Sequence, residues 1–290
     1  MKAIIFGANG QDGYFLKQLL ISKSITPLLV SRTNSEIIGN IANSEFVSSL
    51  INFHKPEYIF HFAAISTTRH SNFIENFDAI VKGTISILEA VKDCSPNTKV
   101  FISGSAMQFF NNGEPINELT EFEGKSPYSL ARISSVNIAR YYRETFGIKI
   151  YIGYLFNHDS WLRSEHHVNQ KIIKSVQRIK NNEQSKLILG NVNVEKEFNF
   201  AGDIVEAIWI LINQNRIFEV IIGSGLSFPI MKWVEISFEF VGLNWKDYLI
   251  VEDKYIPEYM KLVSNPSVIK SLGWEPKVNL YSLSKLMHTN

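Results

Sequence analysis

The chain predicts a doubly wound α/β fold, a parallel sheet flanked by helices, with a smaller α/β cap toward the C-terminus. Three observations carry this. Short apolar runs alternate with amphipathic stretches, a glycine-rich turn follows the first run, and the alternation loosens after about residue 155.

The runs Lys2–Phe6, Thr26–Val30, Tyr58–Phe62, Lys99–Ser103 and Lys149–Tyr154 read as strands. Each is short, rich in Ile, Val and Phe, and apolar on both faces, as strands buried between helix layers are. Between them, Gly13–Ser22, Ser44–Phe53, Phe73–Lys92 and Pro127–Phe146 place apolar residues on one helical face. Farther on, helices are expected at Val168–Lys180, Asp203–Gln214 and Met231–Phe240, with strands at Lys186–Leu189 and Phe218–Ile222. With 290 residues, 45% of them hydrophobic, the chain can build a large core. Its 29 basic and 28 acidic residues nearly cancel, so neither a nucleic-acid-binding nor a membrane-surface class is indicated. Cys94 stands alone and reads as a small buried hydrophobe, which suits a reducing compartment. Met1 leads straight into a strand. No apolar run reaches the roughly 20 residues that span a bilayer. A soluble cytoplasmic protein is the expectation.

The first strand ends in Gly7-Ala-Asn-Gly10-Gln-Asp-Gly13 and a helix follows. Glycines at such a turn let the backbone approach a pyrophosphate, which then sits on the amides and dipole of the helix N-terminus. Residues 1–155 are therefore expected to form a Rossmann-type dinucleotide-binding domain. Residues 156–290 are expected to be mainly a substrate-binding cap, with parts returning to the core. Asn9, Gln11 and Asp12 join Gly7, Gly10 and Gly13 as cofactor-binding candidates. At the end of the second strand a carboxylate would suit the ribose of NAD, but the chain has Ser31 and Arg32. A guanidinium pairs well with a 2′-phosphate, so NADP(H) is favoured, with NAD(H) the alternative. Asn40 and Ile41 would flank the adenine, and Phe62, Ala63 and Ala64 would lie beside the cofactor.

Tyr128 and Arg132 are four residues apart and share a helical face. A cation beside a phenol favours the phenolate, which is how a tyrosine becomes an acid/base near neutral pH. With the glycine turn, this resembles the extended short-chain dehydrogenase/reductases that act on nucleotide sugars, and within them the GDP-mannose 4,6-dehydratases. Further likenesses are Gly153-Tyr-Leu-Phe-Asn-His-Asp-Ser160, Leu189-Gly-Asn191, Asp203-Ile-Val-Glu-Ala-Ile-Trp209 and Asn265-Pro-Ser-Val-Ile-Lys-Ser-Leu-Gly-Trp274. The resemblance covers nearly the full length.

It implies hydride transfer at sugar C4, with Tyr128 taking the C4 hydroxyl proton and Ser105 bonding the same oxygen. Ser103 is the alternative for that hydroxyl role. Arg132 would hold the nicotinamide ribose and tune the tyrosine. Ser103, Leu155 and His158 would complete the cofactor site, though His158 could equally be structural. Ser66, Ser105, Met107, Asn157, Lys171, Leu189, Lys196 and Lys254 would line the substrate site, with Lys171, Lys196 and Lys254 near the diphosphate or else ordinary surface charges. A GDP-sugar is the favoured partner. A homodimer through Phe73–Lys92 and Pro127–Phe146 is expected. No metal-ligand spacing stands out.

Three departures shape the reading. Arg132 stands where the family has lysine, and it cannot readily release a proton. Met107 stands where the dehydratases carry the acid that removes the C5 proton. Glu114 and Glu118 lie nearby, in a Pro-containing loop expected to be solvated. Only a few residues separate Arg32 from the next short run, Ile37–Ile41, where the family has a longer excursion. A thioether is no general base, so the residues argue for a 4-ketoreductase or 4-dehydrogenase. A 4,6-dehydratase and a catalytically impaired cofactor-binding homologue are the alternatives.

Overall fold

The computed structural model describes residues 1–65, 70–252 and 256–290. The first half runs β1 (Lys2–Phe6), α1 (Gln11–Ser22), β2 (Thr26–Ser31), β3 (Ile37–Ile38), α2 (Ser44–His54) and β4 (Tyr58–His61). A nearly continuous helical run follows: α3 (Phe73–Asn76), a π-helical turn at Phe77–Lys82, and α4 (Gly83–Cys94). Next come β5 (Lys99–Ser105), α5 (Pro127–Phe146) and β6 (Ile150–Leu155). The remainder comprises β7 (His158–Asp159), α6 (Val168–Lys180), β8 (Leu187–Leu189), β9 (Glu195–Glu197), β10 (Asn199–Phe200) and α7 (Ala201–Ile212). It ends with β11 (Glu219–Ile222), β12 (Ser227–Pro229), α8 (Ile230–Phe240), β13 (Leu249–Val251), β14 (Lys261–Leu262), α9 (Ser267–Ser271) and α10 (Leu280–Thr289).

Seven strands form one parallel sheet in the order β11-β6-β5-β4-β1-β2-β3. One face packs Val47 and Ile51 of α2, Ile87 and Leu88 of α4, and Val136 and Ala139 of α5. The other packs Leu16 and Leu20 of α1 against Ile204 and Ile208 of α7. Burial on both faces explains why these strands read as unbroken apolar runs. Each large side chain so buried contributes about 1.5–3 kcal/mol. A third apolar cluster, with Ile172, Val176, Trp233 and Leu283, gathers α6, α8 and α10 beside the sheet.

Helix α5 has the bounds its sequence signals predict. Ser126 caps it, its side chain accepting from the Ser129 amide, and Pro127 occupies the first turn. Gly147, at φ +67°, ends it by donating its N–H to the Arg143 carbonyl.

Elsewhere the structure corrects the sequence. The expected single helix Phe73–Lys92 is broken by the π turn. The expected run Ile37–Ile41 is a strand only over Ile37–Ile38, and Ile41 instead packs into the core, 5% exposed, where it meets Gly83. Glu118 is not a solvated loop residue. Its carboxylate accepts the Ile221 amide of edge strand β11 at 2.8 Å, and burial pushes its pKa up. Cys94 is only half-buried, with its sulfur 3.9 Å from Ser48 Oγ. Among the described residues, no helix is long and apolar enough to cross a membrane.

Candidate active site

The strand order reverses between β4 and β2 around β1, which opens a crevice at the C-terminal ends of β1 and β4. Gly7 lies in it with φ +87°, and a Cβ there would stand 2.6 Å from the Ala63 nitrogen. A Cβ on Gly13 would meet Ala8 at 2.7 Å. These two glycines answer to the protein's own packing. Gly10 differs, because its Cβ would meet only the Gly7 oxygen, at 3.4 Å. Gly10 also caps α1 without any side-chain hydrogen bond. The first-turn amides are thus left for an external acceptor, an arrangement that fits a dinucleotide pyrophosphate.

Asn9 Nδ2 donates to the Thr33 carbonyl at 2.5 Å and ties this turn to the segment after β2. Ser31 ends β2 half-buried, and Arg32 is exposed. Asn40 is exposed and accepts the Ala42 amide. Phe62, Ala63 and Ala64 follow β4, half-buried.

Two sequence motifs nearly 150 positions apart clasp each other. Gln11 is 6% exposed. It donates to the His158 carbonyl at 3.1 Å and accepts the Ser160 hydroxyl at 2.9 Å. Asp12 Oδ1 lies 3.0 Å from His158 Nε2, while His158 Nδ1 lies 2.7 Å from the Phe156 carbonyl. Burial works against charge on both partners. The attraction between them outweighs it, so the Asp12 pKa falls below its ordinary value and the His158 pKa rises above its own. His158 is therefore a structural partner of the glycine turn as well as part of the site wall.

A cavity of about 1240 Å³ collects Asp12, Phe62, Ser103, Ser105, Met107, Tyr128, Arg132, Leu155, Asn157, His158, Lys171, Leu189 and Lys196. Gly7, Asn9, Gly10, Gln11, Gly13, Ser31, Arg32, Asn40, Ile41, Ala63 and Ala64 are not part of its lining. Ser66 and Lys254 lie outside the described residues.

The two candidate serines differ in what they have left to offer. Ser103 Oγ donates to the His61 carbonyl at 2.8 Å and accepts from Arg132 Nη1 at 2.7 Å. Among the described residues Ser105 Oγ only accepts, from the Met107 amide at 3.2 Å, which leaves its hydrogen for a substrate oxygen. Tyr128 is half-buried, with the Arg132 guanidinium 5.2 Å from its ring centroid.

Lys196 is not a surface charge. It is 7% exposed, its ammonium lies 5.3 Å from the Phe198 ring centroid, and burial pushes its pKa down while Asp159 pulls it up. Lys171 is exposed and donates to the Ile188 carbonyl at 2.8 Å. Met107 packs against the core and faces the cavity. The only carboxylates in the described lining are Asp12, which His158 holds, and Glu258.

Arg163 and His167 are among the lining groups that the sequence does not mark as site residues. Arg163 reaches within 3.6 Å of Asp159, and the i,i+4 spacing was the available signal. His167, beside Arg163 and Lys196, has its pKa pushed down to about 4, mainly by burial.

A family profile described as GDP-mannose 4,6 dehydratase matches residues 4–287. The chain belongs to this family. It is an extended short-chain dehydrogenase/reductase of the nucleotide-sugar, nicotinamide-dependent group. GDP-mannose 4,6 dehydratase 1 of Arabidopsis thaliana is 34% identical over 242 residues, 80% of this chain and 67% of that protein. The Caenorhabditis elegans GDP-mannose 4,6 dehydratase 2 is 29% identical over 98% of this chain and 87% of its own length. This chain spans about two thirds of the plant relatives. The fold matches RMD from Pseudomonas aeruginosa complexed with NADPH (TM-score 0.89, 16% identity, 99% and 97% coverage). It also matches dTDP-glucose 4,6-dehydratase from Bacillus anthracis in complex with NAD (TM-score 0.87, 19% identity, 100% and 97% coverage).

Proposed function

We propose that this family member moves hydride at C4 of a nucleotide-linked hexose, with a GDP-sugar favoured. Ser105, Tyr128 and Arg132 line one cavity with Asn157 and Lys196, and that grouping carries the reading. Residues 1–155 would hold the cofactor and residues 156–290 mainly the sugar nucleotide. A bound nicotinamide supplies the hydride acceptor or donor. Gly7, Gly10, Gly13 and the α1 amides would hold its pyrophosphate, and Ser31 and Arg32 favour the phosphorylated form, NADP(H).

Tyr128 takes or returns the proton of the C4 hydroxyl. Ser105 donates its remaining hydrogen to the same oxygen. Arg132 supplies fixed positive charge at the tyrosine ring. Arg163 and Lys196 neutralise the substrate diphosphate, and Asn157 contacts it. A homodimer through the α3–α4 run and α5 accounts for the exposure of Ile85, Leu130, Tyr141 and Phe146 on those helices.

C4 hydride transfer is shared by 4,6-dehydration and by 4-keto reduction. The named relatives favour the 4,6-dehydratase cycle. One observation favours redox chemistry alone: Met107 faces the cavity where elimination needs a base. Two incubations separate them, one with GDP-mannose and NADP⁺ and one with GDP-4-keto-6-deoxymannose and NADPH. A dehydratase yields a product that has lost water, with no net NADPH formed. A 4-ketoreductase leaves GDP-mannose untouched and consumes one NADPH per GDP-4-keto-6-deoxymannose reduced. Tight NADPH binding without turnover of any nucleotide sugar would sink both and leave a binding homologue.

A further inference from the structure

Arg132 is 4% exposed, and among the described residues its hydrogen bonds run to Ser103 alone. Nη1 donates to the Ser103 carbonyl and, at 2.7 Å, to Ser103 Oγ. Nε is buried with no hydrogen-bond partner among the described residues. No carboxylate among the described residues pairs with this guanidinium. Such burial is unfavourable unless neutral acceptors and a π face share the charge. Both are present, because the Tyr128 ring centroid lies 5.2 Å from the guanidinium carbon.

Ser103 is itself held. Its hydrogen goes to the His61 carbonyl at 2.8 Å, so its lone pairs are left to face Arg132. Ser103 and His61 stand at the C-terminal ends of neighbouring strands β5 and β4, which makes the clamp part of the sheet rim. His61 is wholly buried, and its Nε2 lies 3.3 Å from the Ile80 carbonyl of the π turn. Burial, and then Arg132, push its pKa down to about 3. It is neutral at physiological pH, so Arg132 is the one charge of this cluster.

We propose that Ser103 is a positioning residue, whose hydroxyl and carbonyl hold the Arg132 guanidinium against the Tyr128 ring before any ligand enters. The tyrosine–arginine pair is then assembled by the protein, and Ser103 acts through Arg132 and not by touching cofactor. The geometric part stands on the contacts alone. Its consequence for turnover rests on the C4 hydride-transfer reading.

The test is ¹⁵N NMR of arginine guanidinium groups in the ligand-free protein, with the Arg132 signal assigned by its loss in Arg132→Lys. Arg132 is expected to show ring-current-shifted protons and slowed guanidinium rotation. Ser103→Ala should return both toward the values of exposed arginines, and Ser103→Thr, which keeps the hydroxyl, should preserve them. Ser103→Cys serves the same purpose if the alanine variant fails to fold. In turnover, Ser103→Ala should lower kcat about tenfold or more while the NADPH Kd changes less than about threefold. In the Arg132→Lys background the same change should add little, because the two residues act as a unit. An unmoved Arg132 signal in Ser103→Ala overturns the proposal. So does weaker NADPH binding with unchanged kcat. If no nucleotide sugar is turned over, the resonances decide the clamp by themselves, separately from the functional reading.

Discussion

Helix α5 carries Arg132, Arg140 and Arg143, each near an aromatic ring, and the two ends of the helix treat them differently. Arg140 and Arg143 both bind Glu219 of β11, at 2.7 and 2.6 Å, and Tyr154 donates to the same carboxylate at 2.6 Å. These bonds outweigh burial and hold the Glu219 pKa down to about 2. Their rings, Phe122 and Phe218, lie 5.2 and 5.6 Å away. At the other end Arg132 has a serine and a tyrosine in contact, no ion pair among the described residues, and only the more distant charge of Asp12. The saturated cluster ties helix to edge strand. The unsaturated one lines the cavity. A buried cation without a carboxylate in contact is where a site is to be sought, whereas a buried cation with one is usually architecture.

The comparison breaks most sharply if the cavity end proves dispensable. Tyr128→Phe is expected to lower kcat by roughly 10²- to 10⁴-fold and to leave thermal stability and NADPH binding close to those of the parent protein. Retention of more than a tenth of the parent rate would remove Tyr128 from the chemistry, and with it the functional distinction between the two ends. The architectural end should answer in stability instead. Glu219→Ala strands two arginines, and a loss of about 2–3 kcal/mol in urea unfolding is expected, partial solvent exposure keeping it below a fully buried pair. NADPH affinity should not move. A change in affinity without a change in stability would mean that the two clusters are coupled.

Arg32 is a third kind of arginine, exposed at the end of β2. If it awaits a 2′-phosphate, Arg32→Ala should weaken NADPH binding about tenfold, the scale of one charge-assisted hydrogen bond. NADH binding should be unaltered. Equal effects on the two cofactors would assign Arg32 to general charge and not to phosphate recognition.

The sheet and α5 were legible because local signals and global packing agree there: apolar runs for two-sided burial, and Ser126, Pro127 and Gly147 as punctuation. The Arg132–Ser103 contact was not, since it joins a helix to a strand end through a side chain and a carbonyl, and spacing along the chain carries no trace of it. Glu118 was misread for a related reason. Composition marks its segment as a loop, but only the sheet order reveals an edge strand amide waiting for an acceptor. The break in the Phe73–Lys92 helix is equally silent, because a π turn preserves apolar periodicity well enough to pass for α-helix. Gln11 and Ser160 belong to separate sequence motifs. That the motifs bind one another emerges only when β7 is placed beside α1.

The clasp offers the smallest and most specific test, because it is a charged pair of a kind Arg132 lacks. Asp12 has its pKa depressed below 3.8, so its contribution is present above that value and is lost as pH falls through the folded pKa. His158 has its pKa raised above 6.5, so its contribution is complete below 6.5 and is lost as pH rises through the folded pKa. Together they define a window from about pH 4 to 6.5 in which the pair is fully charged. His61, His167 and His288 act oppositely. Their pKa values are held down to about 3, 4 and 4, so each costs the folded state stability as pH falls below 6.5. That loss is common to parent and variant and cancels in their difference. Asp12→Asn is therefore expected to be less stable than the parent by about 1 kcal/mol within the window, with the gap narrowing as the imidazole loses its proton at higher pH. Urea midpoints from pH 4 to 9 measure it. A gap that stays constant across the range would mean that Asp12 acts as a hydrogen-bond acceptor alone, and that the charged pair is not what joins the two motifs.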